Sequence, residues 1–236
     1  MAVTEITATK FQDMIRVAAH RINKNAEFVN SLNVFPVPDG DTGTNMNLTF
    51  QTGAKAVLES NEDAVGALAK RLGKGLLMGA RGNSGVISSQ LFRGFAKSVE
   101  GKKNLSAQDL ADAFAHGVET AYKAVMKPVE GTILTVAREA AKAGLKAANG
   151  SDDALVVMTA VVKGAKRALA KTPDLLAVLK EVGVVDSGGQ GLVFIYEGFR
   201  EGLSGEISSD VHDVTDEEMT EMINAVHHQS AQTQLD

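Results

Sequence analysis

Residues 33–47 read NVFPVPDGDTGTNMN, and the fold is decided by what this stretch separates. Pro36 and Pro38 lock their own φ and hold Phe35 and Val37 extended, so no helix runs through it. On its N-terminal side Phe11, Met14, Ile15, Ala18, Ala19 and Ile22 recur at i, i+3, i+4 and i+7, the spacing of one helical face. Thr9 and Gln12 fit a capping box at the start of that helix. On the C-terminal side a second helical stretch runs from about Asn45 to Leu58.

The alternation of helix and polar loop continues outward. Helices are expected over about Asp63–Leu77, Ser84–Val99, a segment capped by Ser106 that carries Leu110, Phe114 and Tyr122, Thr132–Ala148 and Asp152–Ala170. Thr172 as N-cap with Pro173 at the first helical position predicts a further short helix. The last core helix is expected over about Gly189–Gly202. No segment alternates with period two for long, and VGVV at 182–185 is too short to build a sheet. The reading is an all-α domain of eight or nine helices over residues 1–205. Residues 206–236, acidic and then polar, read as a linker or the stub of a following domain. Within them Thr215 and Glu218 can cap one helix with a stripe of Met219, Met222, Ile223 and Val226, and 227–236 read as disordered.

Composition narrows the function. The chain has 236 residues, 24 Lys+Arg against 29 Asp+Glu, a net charge of −5, no Cys and no Trp. Without Cys there is no disulfide, thiol nucleophile or thiolate metal site, which suits a cytoplasmic setting. The apolar run 154–162 is too short to span a bilayer, and the first residues lack a signal-peptide pattern. The acidic balance and few aromatics argue against nucleic acid as a partner. No HExxH pair of histidines occurs.

The chemistry is expected in the loops. Asp39 and Asp41 flank Gly40 and can converge on a hard cation such as Mg²⁺. Thr44 and Asn45 then open a helix whose free N–H groups favour an anion. An Asx-rich turn that merely caps the helix is the plain alternative. An EF-hand would need Gly at Thr44 and Glu at Phe50, and a phosphatase-type aspartate would follow a buried strand. A second loop, Met78–Gly85, places Gly82, Asn83, Ser84 and Gly85 before an apolar helix, as a phosphate cradle or as a helix–helix turn capped by Ser84. It is not a P-loop. A third loop, Val184–Gly191, holds Asp186, Gly188 and Gly189, and a fourth is Pro128–Thr132. In an up-and-down bundle all four loops can share one end.

Together NVFPVPDGDTGTNM, GARGNSGVISSQLFRG, KPVEGTILTV and VVDSGGQGL resemble the nucleotide-binding domain of the fatty acid kinase A subunit, a homologue of the dihydroxyacetone kinase L subunit. The resemblance covers about residues 8–204. It implies an eight-helix antiparallel up-and-down barrel with ATP or ADP in a pocket at one end and two Mg²⁺ ions. Asp39 and Asp41 match two metal-binding, catalytic aspartates, and Asn33 stands nearest the third. Thr42 sits where the dihydroxyacetone kinase branch has His, so both departures point to the fatty acid kinase branch. By the same resemblance Thr44, Asn45, Asn83 and Ser84 line the phosphates, Gly82 and Gly85 allow close backbone approach, and Thr132 and the Asp186–Gly191 loop (Gly188 and Gly189 included) lie near the nucleoside. Met78 and Leu134 are candidates for packing on adenine. The implied reaction is phosphorylation of a fatty acid carboxylate presented by a separate fatty-acid-binding subunit. An L-type dihydroxyacetone kinase subunit and a non-catalytic nucleotide-sensing domain are the alternatives.

Overall fold

A computed structural model describes residues 1–233, with side chains as far as Val226. The described residues form ten helices and one isolated bridge, Ile6 with Leu105. In chain order they are α1 Ala8–Ser31, α2 Thr42–Leu58, α3 Val65–Gly79, α4 Gly82–Ser98 and α5 Ala107–Ala124; then α6 Ile133–Gly150, α7 Ala154–Leu175, α8 Ala177–Val182, α9 Ser187–Ser204 and α10 Asp216–Thr233. Each of α1 to α7 packs on the next, α7 packs on α9, and α9 returns to α1. This ring is the expected eight-helix antiparallel barrel, with the single short α8 linking α7 to α9. None of the described helices is long and apolar enough to cross a membrane.

The apolar faces of the ring point inward. Most of the few aromatic residues meet there: Phe114 lies 5.3 Å from Phe95 and 5.2 Å from Tyr196, and Phe92 stands edge-on to Phe199 at 5.8 Å. Such edge-to-face pairs add to the burial of the rings themselves. Full burial also raises the Tyr196 phenol above its usual range.

Two expected caps are displaced. Thr7, not Thr9, caps α1 by accepting from Lys10 N–H at 3.2 Å. Gln12 instead donates to the carbonyls of Val57 and Ser60, at 3.1 and 3.3 Å, and ties α1 to the end of α2. Pro173 does not open a helix but lies in the last turn of α7. A proline there leaves the carbonyl four residues back without its N–H. The Thr172 hydroxyl makes good the loss by donating to Leu169 O at 2.7 Å.

Residues 206–226 fold back onto α1 and α2. Asp210 meets His20 and Lys24 at 3.3 and 3.5 Å, Asp213 meets Arg16 at 2.7 Å, and Asp216 pairs with Lys55. Thr215 and Glu218 cap α10 as expected. The α10 backbone stays helical to Thr233, through most of the stretch read as disordered, and 234–236 lie outside the described residues. The strap rests on exposed ion pairs, so it is sensitive to screening. Raising salt to about 0.5 M is expected to speed amide exchange in 206–226 several-fold while α1–α9 keep their protection. Exchange in the strap that ignores both salt and Arg16→Ala would contradict this account.

Candidate functional site

Alternating helix direction places the N-termini of α2, α4, α6 and α9 at one end of the barrel. Close approaches bear this out. A Cβ built at Gly188, in the first turn of α9, would lie 2.7 Å from Ser84 Oγ and 3.3 Å from Ile133 Cβ. One built at Gly82 would lie 2.7 Å from Asn45 Nδ2, and Gly82 has a φ of +68° that other residues resist. The four polar loops thus share one end, as the sequence suggested.

Two adjoining clefts open there. The first, about 110 Å³, is lined by Asp39, Asp41, Thr42, Asn45, Gly82 and Asn83 together with Asn33, Pro36 and Ser84. The second, about 220 Å³, shares Pro36, Asn83 and Ser84 and runs on past Phe35, Ile87, Val129, Thr132, Leu134, Asp186 and Gly188. The resulting groove is polar at one end and largely apolar at the other. Neither Asp41 nor Arg81 caps its helix with its own side chain, and neither α2 nor α4 has an acid in its first turn. The leading N–H groups of α4 and its positive dipole end favour an anion in the first cleft, whereas in α2 the N–H groups of Thr42 and Thr44 are taken by Asn33 and Asn30 and the dipole end alone contributes. α4 begins at Gly82 with Arg81 in the cap position, so Ser84 is not a cap but lies within the first turn.

Asn33 is the hub of the aspartate loop. Its Oδ1 accepts from Asp41 N–H at 3.1 Å and Thr42 N–H at 3.2 Å, and its Nδ2 donates to Val37 O at 3.1 Å and Phe35 O at 3.4 Å. Both oxygen lone pairs are therefore engaged, and Asn33 as placed has none to offer a cation, unlike the expectation from resemblance. Asp39 and Asp41 are the carboxylates of this cleft. Among the described residues no group of three or more His, Cys, Asp and Glu is arranged to hold a metal. Two carboxylates suffice for Mg²⁺, which usually completes its shell with water and phosphate oxygens.

The other expected residues divide. Asn45, Gly82, Asn83, Ser84, Thr132, Asp186 and Gly188 line the groove. Thr44 does not: its N–H donates to Asn30 Oδ1 at 2.9 Å and its hydroxyl accepts from Asn30 Nδ2 at 2.9 Å. Gly85 packs on Thr49, whose hydroxyl accepts from Arg81 N–H at 3.0 Å and donates to Asn45 O at 2.7 Å. Gly189 lies behind the groove, with its N–H on Asp186. Leu134 lines the apolar end, whereas Met78 is 87% exposed and lines neither cleft.

The loop carrying Thr132 is fixed by a network that sequence reasoning missed. Glu130 accepts from Arg138 at 2.7 Å, from Tyr122 at 3.1 Å and from Thr135 at 2.6 Å, and Thr135 accepts from Gly131 N–H at 2.9 Å. Burial and the neighbouring Glu130 push the Tyr122 phenol up to about 12.

Asp186 is buried and caps α9, with Gly189 N–H donating to it at 2.8 Å while its own N–H donates to Thr172 Oγ1 at 3.0 Å. Burial pushes its carboxyl up to about 6, although the N–H groups of Gly189 and Ile133 favour the charged form. A raised carboxyl favours the folded state below its unfolded value and loses that advantage as pH rises through about 6. The shift corresponds to about 3 kcal/mol. Resistance to urea is therefore expected to gain a component between about pH 7.5 and about pH 5 that Asp186→Asn lacks. Parallel pH dependence in the two proteins would contradict the assignment.

Comparison with known proteins agrees with this architecture. The chain is 54% identical over 204 residues to an uncharacterized protein of Staphylococcus haemolyticus, covering 86% of this chain and 37% of that one. It is 51% identical over 235 residues to Protein YloV of Bacillus subtilis, covering 100% of this chain and 42% of YloV. The chain thus spans about two fifths of the length of these curated relatives. The crystal structure of the dihydroxyacetone kinase of C. freundii in its native form superposes with a TM-score of 0.58 at 18% identity, over 80% of this chain and 34% of that one, a likeness of fold. The DAK2 domain family matches residues 36–201, from the aspartate loop through most of α9, and the chain belongs to that family.

Proposed function

We propose that the groove binds ATP or ADP with Mg²⁺, and that the chain transfers the γ-phosphoryl group to a fatty acid carboxylate presented by a separate acyl-binding subunit in the cytoplasm. Residues 1–205 form the unit that does this. The observation that carries the reading is the convergence of four helix N-termini on one end that also holds Asp39 and Asp41.

Phosphoryl transfer asks a protein mainly for positioning and charge neutralisation. Asp39 and Asp41 would hold Mg²⁺, which would supply that neutralisation, and the two ions implied by resemblance would share these carboxylates. Asn33 holds Asp41 by its backbone N–H and braces Val37, whose carbonyl accepts from the Asp39 N–H. The first turn of α4, with Asn83 and Ser84, offers N–H and side-chain donors to phosphate oxygens. Thr132, Leu134, Asp186 and Gly188 form the wall for the nucleoside, with Leu134 on its apolar side. The acceptor carboxylate is already ionised at neutral pH, so the groove needs no general base for it. Its oxygen attacks the γ-phosphorus, the bond to the leaving ADP oxygen breaks, and an acyl-phosphate forms. With its oxygen engaged, Asn33 does not replace the third carboxylate of the dihydroxyacetone kinase branch, which favours the fatty acid reading.

The test mixes the chain with ATP, Mg²⁺, hydroxylamine and an acyl-binding subunit loaded with oleate. Acyl hydroxamate is expected only when every component is present. Formation of dihydroxyacetone phosphate with a dihydroxyacetone-binding subunit, and no hydroxamate, would move the chain to the other branch.

A further inference from the structure

The outer face of the α3–α4 hairpin is a trough with no function in the groove described above. Its floor is Gly66, Gly73 and Ala96, with the half-exposed Leu77 at one end, and its volume is about 270 Å³. Its rim is cationic: Lys70 and Lys74 stand on α3, and Arg93 and Lys97 on α4. None of the four makes an ion pair with a described residue, and Glu100 is the one acid in the lining. This cluster sits on a chain whose net charge is −5. The hairpin's tip, Met78 and Arg81, is exposed and adjoins Gly82–Ser84 of the first cleft.

We infer that this face docks an acidic amphipathic helix of the protein that presents the phosphoryl acceptor, an inference that rests on the proposed phosphoryl transfer. The trough between two antiparallel helices is the seat a third helix takes, with apolar residues at i, i+3, i+4 and i+7 on the floor and carboxylates at the rim. Complementary charge there orients the partner and speeds encounter. The trough leads to the tip beside the aspartate loop, so a helix seated in it brings its own protein to the groove. A membrane fits less well, because the face is concave and its lining has no aromatic residue.

The probe is a fluorescein-labelled Leu/Glu heptad peptide of about three heptads, followed by polarisation against the full chain. Saturable binding is expected, weakened about tenfold or more by Lys74→Glu with Lys97→Glu and by scrambling the peptide. Lys146→Glu with Lys163→Glu, the same charge change on exposed positions of α6 and α7, is expected to stay within about twofold of the unmodified chain. Equal loss in both double variants, or equal binding of the scrambled peptide, would reduce the effect to bulk charge and overturn the inference. So would binding to phosphatidylglycerol vesicles with none to the peptide. ADP affinity, measured on the same samples, reports separately on the groove: peptide binding without nucleotide binding would sink the kinase reading but not the docking face.

Discussion

Asp39→Ala and Asp41→Ala are each expected to weaken Mg²⁺-dependent ADP binding by about 100-fold or more, with little change in stability. Changes one shell out from a metal already cost about 10- to 100-fold, so loss of a ligand is expected to cost at least that. The stability half of the expectation comes from the structure. Asp41 holds the cap position of α2 but its side chain makes no capping hydrogen bond. What anchors Asp41 is its backbone N–H on Asn33 Oδ1, which alanine keeps. Surface changes of this kind usually stay within about 0.5 kcal/mol. Calorimetry with and without Mg²⁺, beside a thermal melt of each variant, separates the two effects. Unchanged affinity in both variants would remove the aspartates from the site.

Gly43→Ala is expected to be the most damaging single methyl at this end of the barrel. Its Cβ would lie 1.9 Å from Ala26 O and 2.8 Å from Ala26 C, backbone atoms of α1 that cannot step aside, and 2.9 Å from Asn30 Oδ1. To admit it, α2 must move off α1, which breaks the paired hydrogen bonds between Asn30 and Thr44. A cost of about 3 kcal/mol is expected, with weaker nucleotide binding because the aspartate loop leads directly into α2. Gly40→Ala is the control. Gly40 has a φ of +66°, but the nearest atom to its Cβ is 4.0 Å away, so only backbone strain of about 1–2 kcal/mol applies. Urea midpoints should rank the variants accordingly, and equal losses would contradict the close-approach argument. The two glycines of the loop thus serve different needs, Gly40 a left-handed turn and Gly43 the close approach of α2 to α1.

The helices were legible because each buries one face, and the 3.6-residue period survives in Phe11–Ile22 and Ile87–Val99 without knowledge of partners. The coincidence of the loops was legible from antiparallel topology alone. What escaped was any role set by a partner distant in sequence. Asn33 looks like a ligand beside two aspartates until its amide is seen bridging Asp41 and Thr42, eight and nine residues away. Thr44 reads as a phosphate contact until Asn30 claims it across 14 residues, and Thr49 carries no signal at all for its bond to Arg81, 32 residues on. Pro173 misled because proline is a strong punctuation mark, and the hydroxyl that lets α7 pass it belongs to Thr172, the residue read as the cap. The charged strap of Asp210, Asp213 and Asp216 read as linker because its cations lie on α1 and α2.

The central claim is that one end of this barrel holds a magnesium nucleotide, and a crystal structure of the chain grown with ADP and Mg²⁺ tests it most directly. The account predicts Mg²⁺ bound by Asp39 and Asp41 and bridging to phosphate oxygens. It places the phosphates against the first turns of α2 and α4, with the base between Leu134 and the Asp186–Gly188 turn. ADP found elsewhere on the molecule, or held at this end with no metal on either aspartate, would contradict it.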